Sequence, residues 1–183
     1  FTSADLRGFL SSRYRADRMV LSAAGNVDHD KLVKQAEALF SGLERGADDK
    51  TVPARYIGGP RHSDKPFEQA HFVMGYEGLS YRDPAFYAAQ VFSGLFGGGM
   101  SSRLFQEIRE KRGLCYSIYS SAWGLSDSGL LSVHAATGSD MLDQLIGVLA
   151  EEIERAAGEL PGEREVQRAK AQMKAGLLMS YES

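Results

Sequence analysis

Two residues that can bind a carbonyl oxygen lie seven positions apart in the middle of the chain, Arg109 and Tyr116. A guanidinium offers fixed, always charged N–H donors and a phenol offers one O–H donor, so together they can hold a peptide carbonyl and stabilise a developing oxyanion. The spacing alone leaves a second interpretation open. In that interpretation Arg109 pairs with Glu107 or Glu110 at the surface, and Tyr116 packs within a sheet.

A run of three glycines precedes this pair: Gly97, Gly98 and Gly99. Because glycine has no Cβ, the run is predicted to end one helix and to form a flexible loop before the next. Ser101 or Ser102 can cap that next helix, which should run to about Lys111 and end at Gly113. A phosphate-binding loop is disfavoured, since the lysine and the spacing of the known nucleotide motifs are missing.

Other constellations that carry catalysis are absent from the sequence. No H-x-x-E-H motif and no G-x-S-x-G motif occurs. The four histidines are far apart in the sequence: His29, His62, His71 and His134. We therefore predict no catalytic residue and no metal site within this chain. The acid pairs Glu151-Glu152 and Asp48-Asp49 are predicted to be solvated, on a helix face and in a linker respectively.

The composition excludes several further classes of protein. With 21 Lys+Arg and 24 Asp+Glu interspersed, the net charge is -3, which disfavours nucleic-acid binding. No apolar stretch reaches the length of a membrane span, so membrane insertion is not expected. The single cysteine, Cys115, lies in an apolar run and is predicted to be buried and inert.

The first part of the chain is predicted to contain two helices around a strand. Thr2 or Ser3 caps a helix to about Ser12, and the apolar run 19–24 has the length of a buried strand. Asp28 then caps a helix that should bury its apolar face. Residues 45–64 are rich in glycine, proline and charge and are predicted to be a linker.

The second part alternates strands and helices. Residues 70–76 have the period of a strand, a helix opens at Asp83-Pro84, and residues 115–123 and 130–136 form a predicted hairpin. Two long helices follow, over about 140–157 and from about 163. Since strands joined by a turn run antiparallel, the fold class is predicted to be α+β, an antiparallel sheet with helices on one face.

Four segments resemble the pitrilysin/insulinase (M16) zinc metallopeptidases, in the shorter-chain branch that includes the mitochondrial processing peptidase. They are residues 96–121, MVLSAAGNVDHD at 19–30, HFVMGYEGLS at 71–80 and the closing YES at 181–183. The resemblance implies an internal fragment of a peptidase. Residues 1–44 would be the C-terminal end of the first, zinc-bearing domain, and residues 45–64 would be the linker. Residues 65–183 would form most of the second, substrate-binding domain.

The resemblance also implies roles. Arg109 and Tyr116 would bind the substrate carbonyl, and Gly97 to Ser101 would be the glycine-rich loop of the family. Zinc would be held by the full-length protein, and the fragment alone would be inactive. The implied partners are a peptide substrate and a second identical or related chain, in a bacterial cytoplasm or a mitochondrial matrix. A non-catalytic subunit of the same family is the alternative.

Overall fold

The computed structural model describes residues 1–46 and 52–182. They divide into two compact units, residues 1–52 and 53–183, so the division falls within the stretch predicted to be a linker. The pair Asp48-Asp49 lies outside the described residues. The assignment of the two units to two peptidase domains stays a prediction.

Local capping sets both helices of the first unit. Helix α1 covers Ser3–Arg13, and the Thr2 hydroxyl accepts a hydrogen bond from the Asp5 amide while the Asp5 carboxylate accepts one from the Thr2 amide. Helix α2 covers His29–Phe40, and the Asp28 carboxylate accepts from the Lys31 amide at 3.1 Å. Both helix starts are confirmed.

Two expectations for the first unit are wrong. Residues 19–24 form no strand, because a strand requires a hydrogen-bonded neighbour and no segment within residues 1–46 pairs with them. Helix α2 buries none of its residues. Its apolar side instead faces a groove of about 400 Å³, whose lining includes Met19, Leu21 and Phe40.

The second unit contains an antiparallel sheet. Strand β1 covers Ala70–Glu77, β2 covers Ser117–Gly124 and β3 covers Gly129–Thr137, in the order β1-β3-β2. Strands β2 and β3 form the predicted hairpin, with Gly124 opposite Gly129. The inward face carries Ile118 and Val133, and the opposite face carries side chains such as Tyr119 and Trp123 that remain exposed.

Three helices build the core of this unit with the sheet. Helix α3 covers Phe86–Gly97, α4 covers Leu142–Gly158 and α5 covers Glu163–Ser180. Helix α3 packs on β2 and on α5. The core combines apolar side chains from the sheet, the helices and the segment 104–115. The α+β fold class is confirmed.

Helix α3 begins later than its sequence suggests. The Asp83 carboxylate accepts a hydrogen bond from the Ala85 amide at 2.8 Å, and the helix starts at Phe86 rather than at Pro84. The aspartate therefore closes a turn before the helix.

In the described part of the chain, no helix is both long enough and apolar enough to cross a membrane.

The segment predicted to be an α-helix from Ser101 or Ser102 to Lys111 is mostly a π-helix. Only Arg103 and Leu104 are α-helical, and Phe105–Glu110 follow in the wider π form. The Lys111 amide donates to the Gln106 carbonyl at 3.0 Å, which is a bond across five residues. π-helices are rare, short and frequent at functional sites.

Candidate functional site

The π-helix holds Arg109 at the surface while its other side is anchored in the core. Leu104 and Ile108 are fully buried, whereas the Arg109 side chain is 36% exposed. The Arg109 guanidinium lies over the Phe105 ring, 4.5 Å from the ring centre to Cζ. A guanidinium nitrogen is also 3.9 Å from a Glu110 carboxylate oxygen, so the surface pairing of the second interpretation is present with Glu110.

Tyr116 is fixed through its backbone and exposed through its side chain. Gly113 turns the chain after the π-helix, with a φ of 62° that favours glycine. The Thr137 hydroxyl then donates to the Leu114 carbonyl, and the Tyr116 amide donates to the Ala136 carbonyl at 2.9 Å. The Tyr116 residue is 73% exposed, so it does not pack within the sheet.

Cys115 lies between the two candidate residues in the sequence and is buried. Burial raises the pKa of its thiol, and the nearby positive charge of Arg109 opposes that rise. The thiol itself is buried and, because its pKa is raised, a poor nucleophile, as the sequence predicts. That Arg109 and Tyr116 bind one carbonyl stays a prediction.

The glycine run ends α3 as predicted, but its first two residues are packed and do not form an open loop. Gly97 is the buried last residue of α3, and a Cβ there would lie 2.4 Å from the Ser120 amide nitrogen. A Cβ on Gly98 would lie 2.6 Å from the Gly94 Cα. Gly97 and Gly98 therefore allow close packing. The exposed stretch from Gly99 to Ser101 has the open space that a loop needs.

Two groups of ion pairs lie along the segment 103–112, which contains the π-helix. At its start, Arg103 donates two hydrogen bonds, of 3.0 and 2.8 Å, to the Glu165 carboxylate at the beginning of α5. In its middle, the Glu107 carboxylate accepts from Lys111 and Arg112. Hydrogen bonds from Lys111 and Arg112 lower the Glu107 pKa, although burial opposes this.

One acid that the sequence analysis placed at the surface is buried. Glu152 is 5% exposed and accepts a hydrogen bond from Arg155 at 2.7 Å. Burial raises its pKa, and the charge of Arg155 opposes that rise. The spacing contains the signal, since position 152 falls three residues after the buried Leu149, on the same side of α4. Its neighbour Glu151 is exposed as predicted.

The described residues do not fit a zinc centre. Across 1–46 and 52–182, no three histidine, cysteine or acidic side chains come together as metal ligands. His62 contacts Asp64 at 2.9 Å on the surface. His134 stacks on Tyr119 and contacts the Ser132 hydroxyl at 3.1 Å. A zinc centre of the expected kind needs three converging protein ligands, which this part of the chain does not assemble.

Sequence comparison identifies a family and several relatives. The family model described as the peptidase M16 inactive domain matches residues 1–173. An uncharacterized zinc protease of Rickettsia felis is 44% identical over 183 residues, which are 100% of this chain and 44% of that protein. An uncharacterized zinc protease of Bacillus subtilis is 34% identical over 184 residues, covering 100% of this chain and 45% of that protein. The chain thus spans less than half the length of these relatives.

Solved structures share the fold. The peptidase M16 inactive domain from Pseudomonas fluorescens has a TM-score of 0.79 at 22% identity, covering 97% of this chain and 44% of that chain. A chain of complex III2 from Candida albicans has a TM-score of 0.80 at 25% identity, covering 98% of this chain and 45% of that chain. The α+β arrangement is therefore common to both.

Proposed function

The chain belongs to the peptidase M16 family, and from that premise we propose that it forms the substrate-binding part of a zinc-dependent endopeptidase acting on extended peptides. Its matched relatives carry the name zinc protease. Because the described residues assemble no zinc centre, the proposal places the metal elsewhere in the full-length protein. Membership of the shorter-chain branch, beside the processing peptidases, is part of the same proposal.

The observation that carries the proposal is the accessibility of Arg109 and Tyr116 on rigid supports. Arg109 is presented by a π-helix with Leu104 and Ile108 buried beneath it. Tyr116 is bonded through its amide to strand β3 and is 73% exposed. Groups on rigid supports stabilise a transition state without reorganising, which is the requirement for an effective oxyanion site.

The two side chains supply different parts of the interaction with a peptide. The Arg109 guanidinium donates N–H groups and carries a permanent positive charge, which favours an oxygen that becomes negative. The Tyr116 hydroxyl adds a single donor. In this proposal both donate to the carbonyl that is attacked, and zinc, when bound in the full-length protein, supplies the Lewis acid and the activated water. The residues of this chain bind and orient the substrate.

A second candidate function is that of a non-catalytic subunit, which binds peptide or a related chain without cleaving it. The likeness to a chain of complex III2 favours this candidate, because that chain shares the fold at 25% identity. Both candidates include pairing with an identical or related chain. For both candidate functions, the proposed location of the protein is a bacterial cytoplasm or a mitochondrial matrix.

Hydrolysis of an unstructured peptide by the full-length protein separates the two candidates. The peptidase proposal predicts cleavage that a chelator abolishes and that added zinc restores. A subunit would bind the peptide and leave it intact with or without zinc. The 183-residue chain, assayed in parallel, should not cleave. Chelator-sensitive cleavage by that chain would contradict the placement of the metal elsewhere.

A further inference from the structure

Phe105 lies beneath the Arg109 guanidinium. The role that we infer for Phe105 rests on the proposed function of Arg109 in binding substrate. The two residues are four positions apart within the π-helix, and the Arg109 Cζ lies 4.5 Å from the centre of the Phe105 ring. This distance is within the range of a cation–π interaction. We propose that Phe105 is a positioning residue, which fixes the plane of the Arg109 guanidinium so that its N–H groups point to a peptide carbonyl.

Stacking suits this role because of where the donors of arginine lie. The five N–H groups of a guanidinium lie in its plane, whereas an aromatic ring contacts its flat face. A guanidinium that lies flat on the Phe105 ring would therefore be oriented without using an N–H donor. An ion pair would use one or two of those donors.

The other partner of Arg109 cannot replace this support. The Arg109 guanidinium nitrogen lies 3.9 Å from a Glu110 carboxylate oxygen, and the Glu110 side chain is 52% exposed. An exposed ion pair of this length holds a side chain weakly, and salt screens it. A substrate carbonyl can displace Glu110 at little cost while the ring remains in place.

Phe105 is itself held by its neighbours along the chain. It follows Leu104, which is fully buried, and precedes Ile108, which is also fully buried. Two residues before Phe105, Arg103 is bound to Glu165 by two hydrogen bonds. The Phe105 ring therefore has a fixed backbone beneath it, which a positioning residue needs.

The contact between Phe105 and Arg109 can be measured in the full-length protein without an assay of activity. An aromatic ring shifts the NMR signals of protons above its face, so the Arg109 Nε–H should resonate upfield in the wild type. Phe105→Leu, which keeps an apolar side chain, should abolish this shift. Phe105→Tyr, which keeps the ring, should preserve it. An Arg109 signal that is the same in the wild type and in Phe105→Leu would overturn the proposal.

The consequence for substrate is measured in the full-length protein with an unstructured peptide. Phe105→Leu should lower kcat/KM about fivefold, which corresponds to about 1 kcal/mol at 1.36 kcal/mol per tenfold. Phe105→Tyr should retain the wild-type value. If the protein is a subunit that does not cleave the peptide, the affinity of each variant for the peptide is measured in place of kcat/KM.

Arg109→Ala serves as the reference variant. If Arg109→Ala lowers kcat/KM and Phe105→Leu does not, the positioning role of Phe105 is wrong and the proposed function stands. If Arg109→Ala leaves both turnover and peptide affinity unchanged, the proposed function of the site fails first. If Phe105→Leu and Phe105→Tyr are both folded and lower kcat/KM equally, a role of the aromatic face is also contradicted.

Discussion

The Glu165 carboxylate accepts two hydrogen bonds from the Arg103 guanidinium, at 3.0 and 2.8 Å, and so joins the start of α5 to the residues just before the π-helix. The Arg103 and Glu165 side chains are only 13% and 28% exposed. A two-point contact of this kind fixes direction as well as distance. The pair therefore helps to set the orientation of the helix that carries Arg109.

The first prediction concerns acid stability. The hydrogen bonds from Arg103 lower the pKa of Glu165 to about 2, from an ordinary value of 4.5. A carboxylate with a lowered folded pKa stabilises the fold above its unfolded pKa, and that contribution is lost as the pH falls from about 4.5 towards 2. Glu165→Gln should reduce the free energy of unfolding at pH 7 by about 1 kcal/mol, and the difference from wild type should shrink over that window.

Urea denaturation at several pH values measures this difference. Glu163→Gln is the matched control, because Glu163 lies in the same first turn of α5 and is exposed. The control should remain within about 0.5 kcal/mol of wild type. A Glu165→Gln curve parallel to that of Glu163→Gln would show that the Arg103 contact contributes nothing.

The second prediction concerns the glycines before the site. A Cβ on Gly97 would lie 2.4 Å from the Ser120 amide nitrogen, which is backbone and cannot rotate away. Gly97→Ala should therefore destabilise the fold by about 2 kcal/mol, although alanine favours helices. Gly99→Ala should leave stability nearly unchanged, since a Cβ there meets nothing within 4 Å. Thermal and urea unfolding of the two variants would reveal the contrast, and equal stabilities would refute the packing role of Gly97.

The third prediction concerns the buried acid of α4. Burial raises the pKa of Glu152. The raised pKa of Glu152 affects stability in the opposite direction from the lowered pKa of Glu165. The contribution of such a group to the free energy of unfolding is present below its unfolded pKa and is lost as the pH rises through its folded pKa. Glu152→Gln should therefore gain stability relative to wild type as the pH rises above about 4.5.

The exposed neighbour provides the comparison for that experiment. Glu151→Gln removes the same charge at an exposed position of the same helix. Its free energy of unfolding should remain within about 0.5 kcal/mol of wild type. If the Glu152→Gln difference falls rather than rises with pH, then the hydrogen bond from Arg155 outweighs burial and our sign is wrong.

Features set by neighbouring residues were predictable from the sequence. The start of α2 follows from Asp28, whose carboxylate binds the amide three residues later. The β2–β3 hairpin follows from alternation and a turn-rich stretch between its strands. Chemistry and spacing singled out Arg109 and Tyr116 but left a surface ion pair and a packed tyrosine open, and the family resemblance favoured the substrate-binding role. The structure places both residues at the surface.

Features set by distant contacts were not predictable. Residues 19–24 have the composition of a strand but find no partner within residues 1–46, and pairing is a property of two segments. Residues Phe105–Glu110 form a π-helix where the sequence predicts an α-helix, because the local pattern of apolar residues does not distinguish the two forms. The sequence analysis overlooked Phe105, although its spacing of four from Arg109 was a usable signal.

The central claim is that Arg109 and Tyr116 act on one carbonyl, and a double-mutant cycle on kcat/KM of the full-length protein tests it most directly. Arg109→Ala and Tyr116→Phe should each lower kcat/KM, by about 10²-fold for a lost oxyanion donor, and the double variant should lose less than the product of the two effects. Tyr119→Phe, on the exposed sheet face, should have no effect. Wild-type turnover in either single variant, or two losses that multiply without coupling, would contradict the account.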